Sequence, residues 1–331
     1  MRTIVFSTQP YDRRFLDEAN AARPPAERFL IDYQEAALDA RTAALAEGYE
    51  AVCVFVNDVV DETVLQALVK SGVRAVLLRC AGFNNVDPDA ARRLGIAIAR
   101  VPAYSPEAVA EHTLALILTL NRKTHRAFNR VREGNFRLEG LLGSTLHGKT
   151  AGVIGLGRIG LATARILRGF GCQVLGHDPV VPPGFVELGR EVALDELLAT
   201  ADIVSLHCPL TEQTRHLIDA RSLGLMKTGA MLVNTSRGAL IDTGAVIEAL
   251  KTRQLGALAI DVYEQEAELF FRDRSGEIID DDVFQRLMTF PNVLVTGHQG
   301  FFTVEALREI SETTLDNLAC LRSGRPCPNA L

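Results

Sequence analysis

The chain offers no cysteine chemistry that spacing alone would reveal. Its six cysteines stand at 53, 80, 172, 208, 320 and 327, with no CxxC pair and no Cys/His cluster at metal-ligand spacing. Several lie inside apolar runs such as AVCVFV, where a thiol behaves as a small hydrophobe. Reduced, buried cysteines and no metal are therefore expected. A basic excess is missing too. The 35 Lys and Arg against 41 Asp and Glu leave a formal net charge of -6. General nucleic-acid or anionic-membrane binding needs the opposite balance, although a local arginine can still hold a small anion. No apolar run approaches the roughly 20 residues that span a bilayer. The start, MRTIVFSTQP, lacks the long apolar stretch and small-residue cleavage site of a secretory signal. A cytoplasmic protein with a small-molecule partner, no nucleic acid and no membrane is the expectation.

Solenoid-length repeats, low-complexity segments and a long Gly/Ser or Pro linker are also lacking. What is present is a chain of 331 residues, 47% hydrophobic, long enough for two cores. Five nearly continuous apolar runs, TIVFST (3–8), RFLIDY (28–33), AVCVFV (51–56), AVLLRC (75–80) and IAIARV (96–101), alternate with helical patterns. A second series, TAGVIG, CQVLGHD, DIVSLHCP, AMLVNTS, ALAIDVY and NVLVTGH, begins near 150. Uninterrupted Val/Ile-rich strands separated by helices imply parallel sheets covered on both faces. The fold class is therefore α/β, with two doubly wound parallel-sheet domains. Ser105, Pro106 and Glu107 read as N-cap, first-turn proline and dipole-facing acid of a long helix over 106–121 that carries the chain between domains. An amphipathic helix over 303–322, with no further strands to join, is expected back on the first domain.

Residues 151–160 read AGVIGLGRIG, placing Gly155, Gly157 and Gly160 as GxGxxG between a strand and a helix. The first glycine permits the tight turn, the second lets backbone approach a pyrophosphate, and the third lets helix pack on strand. The helix start then holds the anion. A second strand ends in Asp178, roughly 20 residues on, where a carboxylate accepts from ribose hydroxyls. Pro179, Val180 and Val181 follow, with no adjacent Arg or Lys for a 2′-phosphate, so NAD is favoured over NADP.

Arg237, Glu266 and His298 follow predicted strands of the second series, at the edge where open α/β sheets place ligands. A guanidinium pairs with a carboxylate through two hydrogen bonds and polarises a neighbouring carbonyl. A histidine can deliver the proton that completes an alcohol, and a carboxylate bonded to it favours its charged form. Taken singly, an arginine or histidine in such a place is more often structural. Spacing alone does not separate Glu264 from Glu266 as the histidine's partner.

These residues resemble the D-isomer-specific 2-hydroxyacid dehydrogenases, in particular their lactate-type branch. The resemblance is carried by GVIGLGRIG (152–160), HCPLTEQTRHLI (207–218), LVNTSRGALID (232–242), AIDVYEQE (259–266), TGHQGFFTVEAL (296–307), RCAGFNNVD (79–87) and VPAYSPEAVAEH (101–112). It implies flavodoxin-like or Rossmann-like domains with an active-site cleft between them. It implies a substrate domain over 1–102 and 299–331 and an NAD-binding domain over 103–298. Reversible hydride transfer between NADH and pyruvate, giving D-lactate, is the implied reaction. Arg237, Glu266 and His298 would be catalytic, the five-residue offset from Asp261 selecting Glu266. Ala81 and Gly82 would hold the substrate carboxylate through backbone N–H groups, with Tyr104, Phe55 and Phe301 lining the substrate. Arg158, Ile159, His207, Cys208, Pro209, Thr214, Thr235, Ser236 and Asp261 would line the cofactor beside the glycines and Asp178. A homodimer or homotetramer is implied, with the region of the 106–121 helix in the contact.

Two features depart from many relatives: Ala267 rather than proline after Glu266, with a long segment behind it, and Gln299 after His298. Arg79, near the substrate loop, reads equally as an anion-steering charge or an ion-pair partner. A bulkier keto acid, glyoxylate, or an NAD-sensing binding protein on the same scaffold remain open readings of the sequence.

Overall fold

The computed structural model describes residues 1–331, the side chain of Glu268 excepted. The chain divides into two compact units, Met1–Ser105 with Phe302–Leu331, and Pro106–Phe301. The chain crosses after Ser105 and after Phe301, against expected crossings after 102 and 298.

In the first unit, five short strands form the sheet: β1 (Arg2–Val5), β2 (Leu30–Tyr33), β3 (Ala51–Val54), β4 (Ala75–Leu78) and β5 (Ala97–Arg100), with β3 and β4 buried throughout and the edge strand β2 burying no residue. All pair in parallel in the order β2-β1-β3-β4-β5, the flavodoxin-like winding. Helices α1 (Pro10–Ala22), α2 (Glu62–Lys70) and α3 (Pro88–Leu94) connect them. Asp61 and Asp87 cap α2 and α3 by accepting from Val64 and Ala90 N–H. Leu315 and Leu318 of the final helix join Val5, Leu16, Cys53 and Leu77 in this unit's core.

The second unit opens with α4 (Pro106–Arg122) and α5 (Thr124–Arg132). Its strands are β6 (Thr150–Ile154), β7 (Gln173–His177), β8 (Arg190–Glu191), β9 (Ile203–Leu206), β10 (Ala230–Asn234), β11 (Leu255–Ile260) and β12 (Val293–Val295). Between them run α6 (Arg158–Gly169), α7 (Leu194–Thr200), α8 (Ala220–Leu225), α9 (Thr243–Lys251) and α10 (Asp282–Met288). The final helix α11 (Val304–Ser323) belongs to the first unit. The order β12-β11-β10-β9-β6-β7-β8 is all parallel and reverses direction between β6 and β9.

Successive residues of each strand point to opposite faces, so this sheet has two cores. Val153, Val233 and Ala259 pack with Leu114, Ile117 and Leu167 of α4 and α6. Their neighbours Ile154, Leu232, Leu258 and Ile260 pack with Leu197 and Val246 of α7 and α9. Burial on both faces explains why the strands read as uninterrupted apolar runs. Four cysteines are buried and Cys320 and Cys327 half-buried; burial pushes the Cys53 and Cys208 thiols up to about 11. Among the described residues no helix is long and apolar enough to cross a membrane.

Candidate active site

Where the second sheet reverses direction, β6 gives way to the glycine turn. Gly155 sits at φ +92°, and a Cβ there would lie 2.4 Å from the Cys208 nitrogen. A Cβ on Gly160 would fall 1.9 Å from the Gly155 carbonyl oxygen. Neither position tolerates a side chain, because helix and turn are in backbone contact. Gly157 differs: nothing lies within 4 Å of the Cβ it lacks. Its bare Cα faces open space at the head of α6, where the first N–H groups of a helix have no intrahelical acceptor. Gly157 and Arg158 are exposed and Ile159 half-buried. That cradle fits a pyrophosphate. Asp178, after β7, accepts from Leu156 N–H at 2.7 Å and Val180 N–H at 2.8 Å, which anchors its carboxylate beside the turn. Each oxygen keeps a further lone pair for a ribose hydroxyl.

The remaining cofactor candidates cluster after β9 and β10. Ser236 Oγ donates to the Cys208 carbonyl at 2.7 Å, joining the two loops. Thr235 shares a hydrogen bond of 2.9 Å with Thr113 of α4. Thr214 closes its own turn, donating to the Pro209 carbonyl at 2.7 Å. His207 pairs with Ser205 Oγ at 2.8 Å, and burial pushes it down to about 4, so it offers a neutral ring.

Three strand-end loops are stitched together by backbone. Asp261 N–H donates to the Asn234 carbonyl at 2.9 Å, and His298 N–H donates to the Asp261 carbonyl at 2.7 Å. Gly238, next to Arg237, has no room for a Cβ, which would meet the Tyr263 carbonyl carbon at 2.0 Å. The loop of Arg237 thus lies directly on the loop that carries Glu266. Arg237 itself is half-buried and donates to the Ser236 carbonyl at 2.7 Å. Asn234, fully buried, holds the same turn by donating to the Arg237 carbonyl at 2.8 Å and accepting from Ser236 N–H at 3.0 Å.

His298 Nδ1 lies 2.8 Å from Glu266 Oε1. An ionised carboxylate only accepts, so Nδ1 carries the proton in that bond and Nε2 is left for chemistry. The other Glu266 oxygen accepts from Tyr263 N–H at 3.0 Å, which fixes the carboxylate. Glu264, which spacing could not separate from Glu266, points elsewhere: it accepts from Arg215 at 2.7 Å and pairs with His216 at 2.9 Å. The His298 ring is flanked by Phe271, centroids 5.7 Å apart, and by Phe301 at 6.5 Å. Its backbone is left-handed, φ +53°. For a non-glycine residue that conformation costs on the order of 1–3 kcal/mol.

Asp261 offsets the cost. Its carboxylate, 1% exposed, accepts from Gln299 N–H at 2.9 Å, Gly300 N–H at 2.8 Å and the Thr296 hydroxyl. Burial alone would raise this carboxyl; hydrogen bonds from His112 and Thr296 outweigh it and hold it below the ordinary carboxylate range. The sequence presents Asp261 as a cofactor-lining residue and as the marker that selects Glu266. His112 and Thr296 were not singled out at all. The available signal was a histidine on the otherwise apolar α4 and a threonine two residues before His298.

In the first unit the candidate residues stand beyond the carboxyl ends of β3, β4 and β5. Ala81 and Gly82 are half-buried, and their N–H groups donate to no acceptor among the described residues. The Ala81 carbonyl is held by Arg100 Nη1 at 2.5 Å. Tyr104 is half-buried. Phe55 is packed inside the unit, its ring 4.9 Å from the Arg79 guanidinium carbon. Arg79 is an ion-pair partner: it is 2% exposed and donates to Asp12 at 3.0 Å and to the Ser7 carbonyl at 2.9 Å.

Residues 114–300 match the NAD-binding domain of the D-isomer specific 2-hydroxyacid dehydrogenases. The chain belongs to that family of NAD-dependent oxidoreductases. It is 59% identical over 331 residues to 2-hydroxyacid dehydrogenase A of Aspergillus oryzae, covering all of this chain and 95% of the relative. It is 52% identical over 332 residues to the D-lactate dehydrogenase of Escherichia coli, covering 100% of both. The apo-structure of D-lactate dehydrogenase from Escherichia coli superposes with a TM-score of 0.90 at 50% identity, covering 100% of both chains.

Proposed function

We propose that this protein reduces pyruvate to D-lactate with NADH, reversibly. The observation that carries the reading is the 2.8 Å bond from His298 Nδ1 to Glu266, on a loop stitched beside that of Arg237. NADH supplies the hydride when bound at the glycine turn. Gly155, Gly157, Gly160 and the head of α6 take its pyrophosphate, and Asp178 its ribose. Arg158, Ile159, His207, Cys208, Pro209, Thr214, Thr235, Ser236 and Asp261 line the rest. Arg237 pairs with the substrate carboxylate and polarises the ketone. In the first unit the Ala81 and Gly82 N–H groups, Phe55 and Tyr104 are the candidate substrate contacts, and Phe301 is the second unit's. His298 Nε2 delivers a proton to the carbonyl oxygen, and Glu266 orients the ring and stabilises the imidazolium. In reverse, neutral His298 accepts the alcohol proton.

The sequence likeness to the D-lactate dehydrogenase of Escherichia coli supports the choice of pyruvate. The deciding experiment is steady-state NADH oxidation with pyruvate and a short panel of longer 2-keto acids, with chiral analysis of the product. Pyruvate is expected to give the highest kcat/KM, and the product the D-isomer. A longer keto acid with a higher kcat/KM would overturn the substrate assignment. NADH binding without oxidation by any keto acid would favour a sensing protein instead.

We also infer a dimer or tetramer. Support comes from the segment after α4, where Phe136, Leu138 and Leu142 are 73%, 81% and 87% exposed.

A further inference from the structure

His112 projects from α4 and is 15% exposed. Its Nε2 lies 3.1 Å from Asp261 Oδ1 and 3.2 Å from Thr296 Oγ1. The carboxylate only accepts, so Nε2 carries a proton and donates. The turn behind His298 rests on this pair: a Cβ on Gly300 would stand 3.1 Å from Asp261 Oδ2 and 3.5 Å from His112 Cδ2. The same Asp261 carboxylate holds the N–H groups of Gln299 and Gly300, and its backbone carbonyl holds His298 N–H. The two restraints made by the Asp261 carboxylate, on the N–H groups of Gln299 and Gly300 directly after His298, therefore depend on where His112 and Thr296 keep that side chain.

We propose that His112 is a positioning residue for proton transfer, fixing through Asp261 the turn 298–300 that aims the His298 ring. The inference rests on the reading of His298 as the proton donor. His112 touches neither reacting atoms nor cofactor in this account. Its loss leaves Asp261 short of one donor in a buried site, and the carboxylate rotates or admits water. The turn then relaxes, and the imidazole loses its aim by a fraction of an ångström to an ångström.

The test uses the full chain and two variants. His112→Leu keeps bulk without a donor, whereas His112→Gln places an amide nitrogen near the position of Nε2. Three readouts are taken: kcat and KM for pyruvate, the NADH dissociation constant from fluorescence, and amide hydrogen exchange over 296–301. For His112→Leu, kcat is expected to fall by about 100-fold, the loss that a misplacement of about 1 Å brings. NADH affinity is expected to change by less than about threefold, since the lost aim of the His298 ring is felt in the transition state and not in holding the cofactor. Exchange at Gln299 and Gly300 should accelerate. His112→Gln should recover most of kcat and restore slow exchange. If His112→Leu is too unstable, His112→Asn serves, because its shorter amide does not reach Asp261 and the same kcat loss is expected. Wild-type kcat and unchanged exchange in the variant without a donor would overturn the proposal, as would a glutamine variant that fails as fully as leucine. If the wild type reduces no keto acid, the reaction is misassigned, and the exchange measurement alone decides whether His112 holds the turn.

Discussion

At His298 two demands meet on one ring. In the proposed reaction Nδ1 is held by a carboxylate, and Nε2 stays open to a substrate oxygen. The 2.8 Å bond to Glu266 meets the first, and the turn held by Asp261 serves the second. His298→Gln removes the proposed proton donor while keeping polarity and approximate size. General acid–base groups contribute typically 10²–10⁴-fold. We expect kcat/KM for pyruvate to fall by about that factor, while NADH affinity by calorimetric titration stays near wild type. Comparable losses in both quantities would make His298 a structural residue. Much of this scale was legible beforehand. Arg237, Glu266 and His298 stand out in the sequence as polar residues within a few positions of the ends of apolar strands. The choice between Glu264 and Glu266 was not legible from spacing, because both follow the same strand. It is decided by partners from distant stretches: Arg215 and His216 draw Glu264 away. His112 was hidden for a related reason. A histidine at the seventh position of the apolar-periodic α4 (Pro106–Arg122) reads as packing until the aspartate that it meets, 149 residues on, is known.

Among the elements, the glycine turn and α6 make the sharpest claim, because two glycines of one motif are required for different reasons. Gly160 is needed by the fold: a methyl there meets the Gly155 carbonyl at 1.9 Å. Gly157 is not, since its missing Cβ faces nothing within 4 Å. Gly160→Ala should therefore destabilise the protein by about 1–3 kcal/mol, the usual cost of forcing a methylene into closed packing. It should lose NADH binding as well. Gly157→Ala should cost less than about 1 kcal/mol, the scale of a poorer N-cap. Its methyl would nevertheless occupy the space for a pyrophosphate and weaken NADH binding by at least tenfold, roughly the effect of 1.4 kcal/mol. Thermal unfolding and NADH titration of both variants check this; equal effects on stability would remove the distinction. Strand positions were readable because a two-sided buried sheet demands long apolar runs. The two-residue β8 was not, as Arg190–Glu191 is exposed and carries no apolar signature. The strands end earlier than their apolar runs suggest: AVCVFV continues to 56 but β3 stops at Val54, because the chain there turns under Asp58, which accepts from Phe55 N–H at 2.6 Å.

For the whole molecule, the decisive surface is one that the sequence pointed to only approximately. The region of the 106–121 helix was expected in a contact between copies; within α4 itself Leu114, Leu116, Ile117 and Leu120 are covered by the chain's own second unit. The uncovered apolar surface comes next in the chain. α5 buries no residue, and Phe128 and Val131 on it are 60% and 52% exposed. Phe136, Leu138 and Leu142 follow at 73%, 81% and 87%. Single exposed hydrophobes are ordinary, but a monomer rarely keeps a contiguous apolar patch larger than a few hundred Å². A stable interface needs about 1,000 Å² or more, and five large side chains on one extended segment can anchor that area. Light scattering of the purified protein at micromolar concentration should accordingly give a multiple of the 36.0 kDa chain mass. Phe136→Asp combined with Leu142→Asp places two charges on that segment, where desolvating an unpaired carboxylate is prohibitive. The double variant should run as a monomer with its secondary structure intact by circular dichroism, since neither side chain contributes to a core. A wild-type protein that is monomeric at those concentrations, or a double variant that still associates, would remove this segment from any interface.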